Sequence, residues 1–155
     1  ELRKPNRHNF LKKWPNKFWL DACFIKDETR NDGLRTGKWM RRVDMRKYKF
    51  ILSIEGNDKD SGLQWKLNSN SVVFMVKPRT DTWLMEQRLV PGEHFVELKD
   101  DFSDLYEKYI WARSHPKECK AISKNAKNYM SQFANDEYEN KLEDDVLEEY
   151  FKRIG

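Results

Sequence analysis

Residues 48–78 read YKFILSIEGNDKDSGLQWKLNSNSVVFMVKP, in which two apolar runs flank a polar turn and an amphipathic segment. The runs, residues 49–54 and 72–76, are rich in β-branched and aromatic side chains. Such runs are typical of strands buried on both faces of a parallel sheet. The order strand, helix, strand predicts a right-handed βαβ unit with parallel strands.

The helix between the two strands is expected to begin at Asp60 or Ser61 and to end at Asn68. Leu63 and Leu67 are four residues apart and therefore fall on one face of this helix. We expect that face to pack against the sheet, which leaves the polar turn before the helix open to a ligand.

The polar turn at residues 55–58 is where we expect a ligand. Gly56 permits a positive φ and a close approach between the backbone and a bound group. In a parallel βαβ unit this turn and residues 77–79 lie at the same carboxyl edge of the sheet, where open α/β sheets bind ligands. The same edge is expected to gather residues 26–27 and 99–101.

The rest of the chain continues the alternation of strands and helices. Its patterns predict a short helix from Asn6, a strand at residues 18–25, a turn of helix within residues 39–46, a helix at 80–89 that packs Trp83, Leu84 and Leu89 inward, a strand at 94–98, a helix capped by Ser103, and two more helices from Pro116 and from about Asp136. Leu142, Val146, Tyr150 and Ile154 recur at a spacing of four on the last helix, which we interpret as core packing.

Four strands that alternate with helices predict an α/β fold: a doubly wound, Rossmann-like parallel sheet flanked by helices, with a C-terminal helical layer. The 155 residues fit one such domain.

Composition excludes several classes of protein. The net charge of +4 is spread along the chain without a polybasic block, so it gives little support to nucleic-acid binding. Cys23 and Cys119 are far apart and without CxxC spacing, so we expect two buried, reduced thiols. No apolar stretch reaches the roughly 18 residues of a membrane span. We interpret the basic residues at the start of the chain as a solvated helix face.

The expected carboxyl edge combines a glycine turn, a helix start, two lysines and several carboxylates. Backbone N–H groups and cations bind diphosphate, while carboxylates accept hydrogen bonds from ribose and sugar hydroxyls, so the set suits a sugar nucleotide. Neither the G-x-G-x-x-G fingerprint nor the P-loop motif is present. Glu55 is notable because a carboxylate at the end of a buried strand must be paired, solvated or liganded. His94 and the Asp100–Asp101 pair have structural interpretations that we prefer.

Several blocks of the chain, in order, resemble glycosyltransferase family 90. They are KYKFILSIEGND, SNSVVFMVKP, TWLMEQRLVPGEHFVELKDDFSDL and a following helix that starts near HPKE. RHNFLKKW followed by DACF resembles the segment that precedes them in the family. The similarity is nearest to the bacterial, lipopolysaccharide-modifying members and extends to the protein O-glucosyltransferases.

The resemblance implies the C-terminal, donor-binding half of a two-domain GT-B enzyme. The donor-binding residues that it implies are Glu55, Gly56, Asn57, Asp58, Ser61, Gly62, Gln64, Lys77, Pro78, Trp83 and Glu86. Gln64 replaces a basic residue of many relatives, and Lys59-Asp60 replaces small apolar ones. The family's catalytic base lies upstream, so no catalytic residue is assigned, and no metal or cofactor is implied.

The resemblance also implies transfer from a UDP-sugar to a cell-surface glycan or a lipid-linked, lipopolysaccharide-type acceptor. The partner would be the N-terminal GT-B domain, in a cytoplasmic enzyme that associates peripherally with the inner membrane, without nucleic acid. The 155-residue chain alone is expected to be inactive. The alternative is a stand-alone module that binds nucleotides or single-stranded nucleic acid without catalysis.

Overall fold

The computed structural model describes residues 6–15, 17–25, 36–56 and 59–154. Its helices are α1 (Asn6–Lys13), α2 (Arg42–Met45), α3 (Leu63–Leu67), α4 (Leu105–Ser114), α5 (Pro116–Ser131) and α6 (Asp136–Ile154). Its strands are β1 (Phe24–Ile25), β2 (Thr36–Gly37), β3 (Phe50–Ser53), β4 (Val72–Val76) and β5 (Val96–Leu98). Short 3-10 helices lie at Glu86–Arg88 and Gln132–Ala134.

The main sheet is parallel and has the order β3-β4-β5. Phe50 is in register with Val72, and Phe74 with Val96. Strand β4 lies in the centre, and its first four residues are buried. The predicted βαβ unit is therefore confirmed, with its strands close to their expected bounds.

Helices cover both faces of this sheet, as expected for a Rossmann-like α/β fold. On one face, Phe74 and Val96 belong to a buried cluster that includes Phe10 of α1 and Leu105 of α4. On the other face, Val73 and Met75 belong to a second buried cluster. Its other buried members are Leu63, Leu67, Leu84, Leu89, Phe95, Ala126 and Met130. Helix α5 contributes to both clusters because Ile122 packs in the first and Met130 in the second.

The predicted strand at residues 18–25 is mostly wrong. The Leu20 amide donates to the Lys17 carbonyl at 3.0 Å, which forms a turn, and Phe18 is 100% exposed. Only β1 remains as strand, and it pairs with β2 in a separate two-stranded sheet rather than with the main sheet. The turn places the Trp19 ring 4.9 Å from that of Tyr109 on α4, and this stacking replaces the expected strand pairing.

The predicted helix at residues 80–89 is also wrong apart from its last turn. Met85 has a left-handed φ of 50°, which interrupts a helix. The Gln87 amide donates to the Asp81 carboxylate at 2.8 Å, and such side-chain bonds offer the backbone an alternative to helical pairing. Leu84 and Leu89 are buried as expected, whereas Trp83 is 53% exposed.

Two smaller predictions, on the cap of α4 and on the burial of the cysteines, differ from the structure. Ser103 does not cap α4, because the residue before the helix is Asp104, whose carboxylate accepts the Lys99 amide at 3.0 Å. Of the two cysteines, Cys119 is buried as predicted, while Cys23 is only half-buried. Burial, and then the nearby Glu118 carboxylate, raise the pKa of the Cys119 thiol.

Helix α6 does not bury the stripe that its sequence predicts. Val146, Tyr150 and Ile154 are between 56% and 60% exposed, and the neighbouring Phe151 is 63% exposed. Within the described ranges, α6 has its contacts chiefly with the 3-10 helix at Gln132–Ala134. The interpretation of this stripe as core packing is therefore wrong for the described part of the chain. None of the described helices combines the length and the apolar character needed to cross a membrane.

Candidate functional site

A cavity of about 110 Å³ opens at the carboxyl edge of the main sheet. It lies where β3 and β4 end, the position predicted from the βαβ topology. Its lining residues are Ser53, Ile54, Glu55, Lys59, Asp60, Leu63, Met75, Val76, Lys77, Pro78, Arg79, Thr80, Glu86, Asp100 and Phe102. The loops after all three strands of the sheet thus contribute to one cavity.

The segment after β3 supplies a carboxylate and contacts a cation of α1. Glu55 is half-buried in the cavity wall and has no hydrogen-bond or ion-pair partner among the described residues. The guanidinium of Arg7 on α1 donates two hydrogen bonds, both of 3.3 Å, to the carbonyl oxygen of Ile54. A Cβ built at Gly56 would lie 3.4 Å from the same guanidinium, which is ordinary van der Waals contact. Arg7 therefore packs directly beside Gly56.

The segment after β4 separates this cavity from a second one. Lys77, Pro78 and Arg79 line both cavities, and the second has a volume of about 410 Å³. Lys77 is exposed and has no ion-pair partner in the part of the chain that the structure describes. Arg79 pairs with Asp100 across the boundary between the cavities. Lys77 is thus available to an anionic ligand at this edge, whereas Arg79 is already neutralised.

Glu86 is a buried carboxylate at the base of the cavity. It is 3% exposed, and both the amide and the hydroxyl of Thr82 donate to its oxygens at 2.7 Å. The hydroxyl of Tyr129 on α5 lies 2.7 and 2.8 Å from the carbonyl oxygens of Leu84 and Met85, which fixes this segment to the helix layer. Because these bonds hold Glu86, its position does not depend on a ligand.

Asp60 forms a buried polar network beside the start of α3. Its carboxylate accepts hydrogen bonds from the hydroxyl of Ser53 at 2.6 Å and from the amide of Gly62 at 2.9 Å. It also pairs with Lys66, whose Nζ donates to the carbonyl oxygen of Leu52 at 2.9 Å. The side chains of Asp60 and Lys66 are only 10% and 13% exposed.

The pKa of Asp60 is lowered by this network. Burial on its own raises the pKa, but the charge of Lys66 and the hydrogen bonds from Lys66, Ser53 and Gly62 outweigh burial. Asp60 is therefore a carboxylate at neutral pH, and it lines the cavity as a fixed negative charge.

Helix α1 closes one side of the edge. Lys13 donates to the backbone carbonyl of Asp101 at 2.9 Å and to its carboxylate at 2.8 Å. The hydrogen bonds from Lys13 and then Ser103 hold the pKa of Asp101 well below its usual range. Phe102, next in the chain, has a left-handed φ of 57° and buries its ring against Phe10 at 5.2 Å. The interpretation of Asp100 and Asp101 as structural carboxylates agrees with these bonds.

The structure places the predicted site residues in three groups. Glu55, Lys77, Pro78 and Glu86 line the cavity, and Gly56 is outside the lining, next to Glu55 in the chain and beside Arg7. Ser61, Gly62, Gln64 and Trp83 lie outside its lining, with Ser61 and Gln64 exposed at the start of α3. Asn57, Asp58, Lys26 and Asp27 lie outside the described residues. The role of all these residues in donor binding stays a prediction.

Sequence reasoning missed two parts of this site. The basic residues of α1 were interpreted as a solvated face, yet Arg7 and Lys13 bond to loops at the carboxyl edge. Sequence offers no signal for contacts over 47 and 88 residues. The ion pair of Asp60 and Lys66 was missed as well. A lysine six residues after an aspartate, with a helix start between them, is a local signal that could have indicated this pair.

The arrangement can bind an anion that also carries hydroxyl groups. Lys59 and Lys77 provide positive charge in the lining, Arg7 adds a charge beside Ile54, and Glu55 offers acceptor oxygens without a partner among the described residues. In the part of the chain that the structure describes, we find no nucleophile and base arranged for catalysis at this edge.

The chain is similar in sequence to known proteins. The sequence profile of glycosyl transferase family 90 matches residues 3–154. The chain is 46% identical over 107 residues to O-glucosyltransferase LpsA of Dichelobacter nodosus, a match that covers 69% of this chain and 34% of that protein. It is 35% identical over 86 residues to uncharacterized protein 179R of Invertebrate iridescent virus 6, which covers 52% of this chain and 7% of that protein.

A similar match extends to animals. Protein O-glucosyltransferase 2 of Danio rerio is 34% identical over 83 residues, which cover 52% of this chain and 16% of that protein. The chain thus spans about a third, or less, of the relatives that it matches. Because the family profile covers nearly all of the 155 residues, the chain belongs to glycosyltransferase family 90.

Proposed function

We propose that this chain is the donor-binding part of a glycosyltransferase and that it binds a UDP-sugar at the carboxyl edge of its main sheet. The observation that carries the proposal is the cavity lined by Glu55, Lys59 and Lys77, with Arg7 of α1 bonded to Ile54 in its wall. The cations suit a diphosphate, and the Glu55 carboxylate, which has no partner among the described residues, suits a hydroxyl of ribose or of the transferred sugar.

The chemical role that we propose is electrostatic. In glycosyl transfer the departing nucleotide gains negative charge on its diphosphate, so cations already in place favour the transition state over the bound substrate. Lys77 and Arg7 would supply that charge, and Glu55 would fix the orientation of the donor. The acceptor, which we propose to be a cell-surface glycan or a lipid-linked sugar, would approach from the open side of the cavity. The family membership and the names of LpsA and protein O-glucosyltransferase 2 support this reaction class.

A second part of the enzyme would complete the site. The cavity of about 110 Å³ is small for a sugar nucleotide, since ligand pockets are commonly about 300–1,000 Å³. We propose that an N-terminal domain faces this edge, as in the GT-B arrangement, and supplies the other wall, the catalytic base and the acceptor site. The exposed apolar face of α6 supports a further domain, because large apolar patches are normally covered by a partner. A cytoplasmic, membrane-peripheral location belongs to the same proposal.

Titration of the chain with UDP and UDP-glucose, followed by calorimetry and by amide NMR, tests the proposal. We expect weak, saturable binding that shifts the amides of Glu55, Gly56 and Lys77 before those of α5. Lys77→Ala should weaken binding by about 1–3 kcal/mol, the scale of a hydrogen bond to a charged group, and leave the melting temperature unchanged because Lys77 is exposed.

Lys124→Ala is the matched control, since Lys124 is exposed on α5 away from the cavity and its loss should leave affinity unaltered. If the shifts cluster on other surfaces while the amides near Gly56 stay silent, the donor site is elsewhere. Binding that weakens steeply with salt and prefers an oligonucleotide would instead favour a nucleic-acid module.

A further inference from the structure

The start of α3 is occupied by a side chain of the protein itself. At the start of α3, the Gly62 amide donates to the Asp60 carboxylate at 2.9 Å and the Leu63 amide donates to the Asp60 carbonyl oxygen at 3.0 Å. Helix α3 has only five residues, so its dipole attracts a phosphate weakly. The sequence, in contrast, predicted that the N–H groups before this helix would bind the diphosphate of the ligand.

Asp60 is held firmly in this position. The hydroxyl of Ser53 on β3 and the ammonium of Lys66 on α3 both bond to the carboxylate, and Lys66 also donates to the carbonyl oxygen of Leu52. The charge of Lys66 and these hydrogen bonds keep the pKa of Asp60 low in spite of burial, so the group stays negative at neutral pH. A phosphate at the Gly62 amide would have to displace a buried carboxylate or lie directly against it, and both are unfavourable.

Three cations near this edge have no ion-pair partner among the described residues. Lys59 and Lys77 line the cavity, and Arg7, outside its lining, donates to the carbonyl oxygen of Ile54. Their charges are therefore not cancelled inside the protein. Arg79, by comparison, is neutralised by Asp100.

We propose that Asp60 closes the start of α3 to anions and thereby directs the donor diphosphate to the side chains of Arg7, Lys59 and Lys77. The inference rests on the donor-binding function proposed above and adds the position of the phosphates to it. Asp60 is thus a positioning residue: it acts on the ligand through the hydrogen bond that occupies the Gly62 amide, rather than through its charge, which Lys66 balances.

Two double variants separate the hydrogen bond from the charge. In Asp60→Ala with Lys66→Met, the buried pair is removed together, which avoids leaving one buried charge unpaired. In Asp60→Asn with Lys66→Met, the amide oxygen of the asparagine still accepts the Gly62 N–H, but the charge is gone. Both proteins and the wild type are titrated with UDP and with inorganic pyrophosphate and followed by amide NMR, with the unchanged amides of α5 as evidence of a native fold.

In the wild type we expect UDP to shift the Lys77 amide and to leave the Gly62 amide unmoved. In the alanine double variant, Gly62 should respond, and affinity for UDP and pyrophosphate should rise about tenfold because free N–H groups become available. In the asparagine double variant, Gly62 should remain silent. The wild-type arm decides the question even if a variant fails to fold.

A Gly62 amide that shifts in the wild type with the same affinity as Lys77 would overturn the inference while leaving the donor site intact. An alanine double variant that folds and binds with wild-type affinity would also overturn it. Absence of any saturable shift in the wild type would instead reject the donor site, and this inference with it.

Discussion

Gly56 has room for the Cβ of an alanine, but a side chain larger than alanine would displace Arg7. Its φ is not in the left-handed region, so the expected positive φ is wrong, and among the described glycines only Gly92 has one. A Cβ at Gly56 would just touch the Arg7 guanidinium at 3.4 Å, whereas the two methyl groups of valine extend further. We expect Gly56→Ala to bind UDP normally. Gly56→Val should displace Arg7 and weaken binding about tenfold, with little change in unfolding free energy.

Gly92→Ala is the control for backbone strain in this comparison. Gly92 has a φ of 77° and no atom within 4 Å of an added Cβ, so the variant should lose about 1 kcal/mol of stability and keep its UDP affinity. Calorimetry with UDP and urea unfolding measure the two quantities separately. A Gly56→Val protein that binds UDP as well as the wild type would show that Arg7 does not contact the ligand.

Asp60 gives the fold a specific sensitivity to acid. Because its pKa is lowered in the folded state, its contribution to stability is present above 3.8, the ordinary pKa of aspartate, and is lost as the pH falls below that value. The double variant Asp60→Asn with Lys66→Met lacks this contribution at every pH. We therefore expect a smaller fall in its unfolding free energy between about pH 7 and pH 2 than in the wild type, measured by urea denaturation.

Asp101→Asn provides the comparison at an exposed site. Hydrogen bonds from Lys13 and Ser103 lower the pKa of Asp101 too, but the carboxylate is solvated, so its removal should change the acid response much less. If both variants respond to acid as the wild type does, other carboxylates determine the acid stability of the fold.

Helices α5 and α6 carry similar apolar spacing but differ in what covers it. Met130 of α5 is 6% exposed in the second core cluster, whereas Phe151 of α6 is 63% exposed. Met130→Ala should therefore lower the unfolding free energy of the 155-residue chain by about 2–5 kcal/mol. Phe151→Ala should change it by less than about 0.5 kcal/mol. Urea denaturation of both variants makes the comparison, and a large loss for Phe151→Ala would mean that α6 packs on this chain in solution.

The elements that the sequence predicted well are those with a local signal. Strands β3 and β4 show as apolar runs of the right length, and α5 shows as a starting proline followed by a periodic stripe. The segment at residues 80–89 failed because side-chain bonds to Thr82 and Asp81 compete with helical pairing, and propensity does not include such bonds. Helix α6 was predicted with the right starting residue and the wrong surroundings, since periodicity indicates an apolar face and not what covers it.

In the candidate site, too, the features that follow from a local pattern were predicted and those that depend on tertiary packing were not. Parallel topology determines which loops meet at the carboxyl edge, so Glu55, Lys77 and the edge itself followed from residues 48–78. The contact of Arg7 with Ile54 joins positions 47 residues apart, and its geometry depends on how α1 packs, which no local pattern encodes.

At the scale of the whole molecule, we expect the chain to bind the donor without catalysing sugar transfer. The described part of the chain has the donor contacts that we propose, while the base and the acceptor site would lie in another part of the enzyme, so the proximity on which transfer depends would be missing. We expect the purified 155-residue chain to bind UDP-glucose and to transfer no sugar, in assays with labelled donor and lipopolysaccharide-type acceptors. Co-expression with an upstream segment from the same gene is the positive control. Sugar transfer by the chain alone would show that it contains a complete site.

Helix α1 has a consequence for the timing of folding. It precedes every other described element, yet Trp14, the residue after it, donates to the Phe102 carbonyl at 3.0 Å across 88 residues, and its own Phe10 packs on the Phe102 ring. Chains are synthesised at about 5–20 residues per second, so these partners appear on the order of 5–20 s after the helix. Until then Phe10 and Leu11 lack part of the cluster that buries them. Helix α1 can therefore complete its packing only after residues 102–105 have been made.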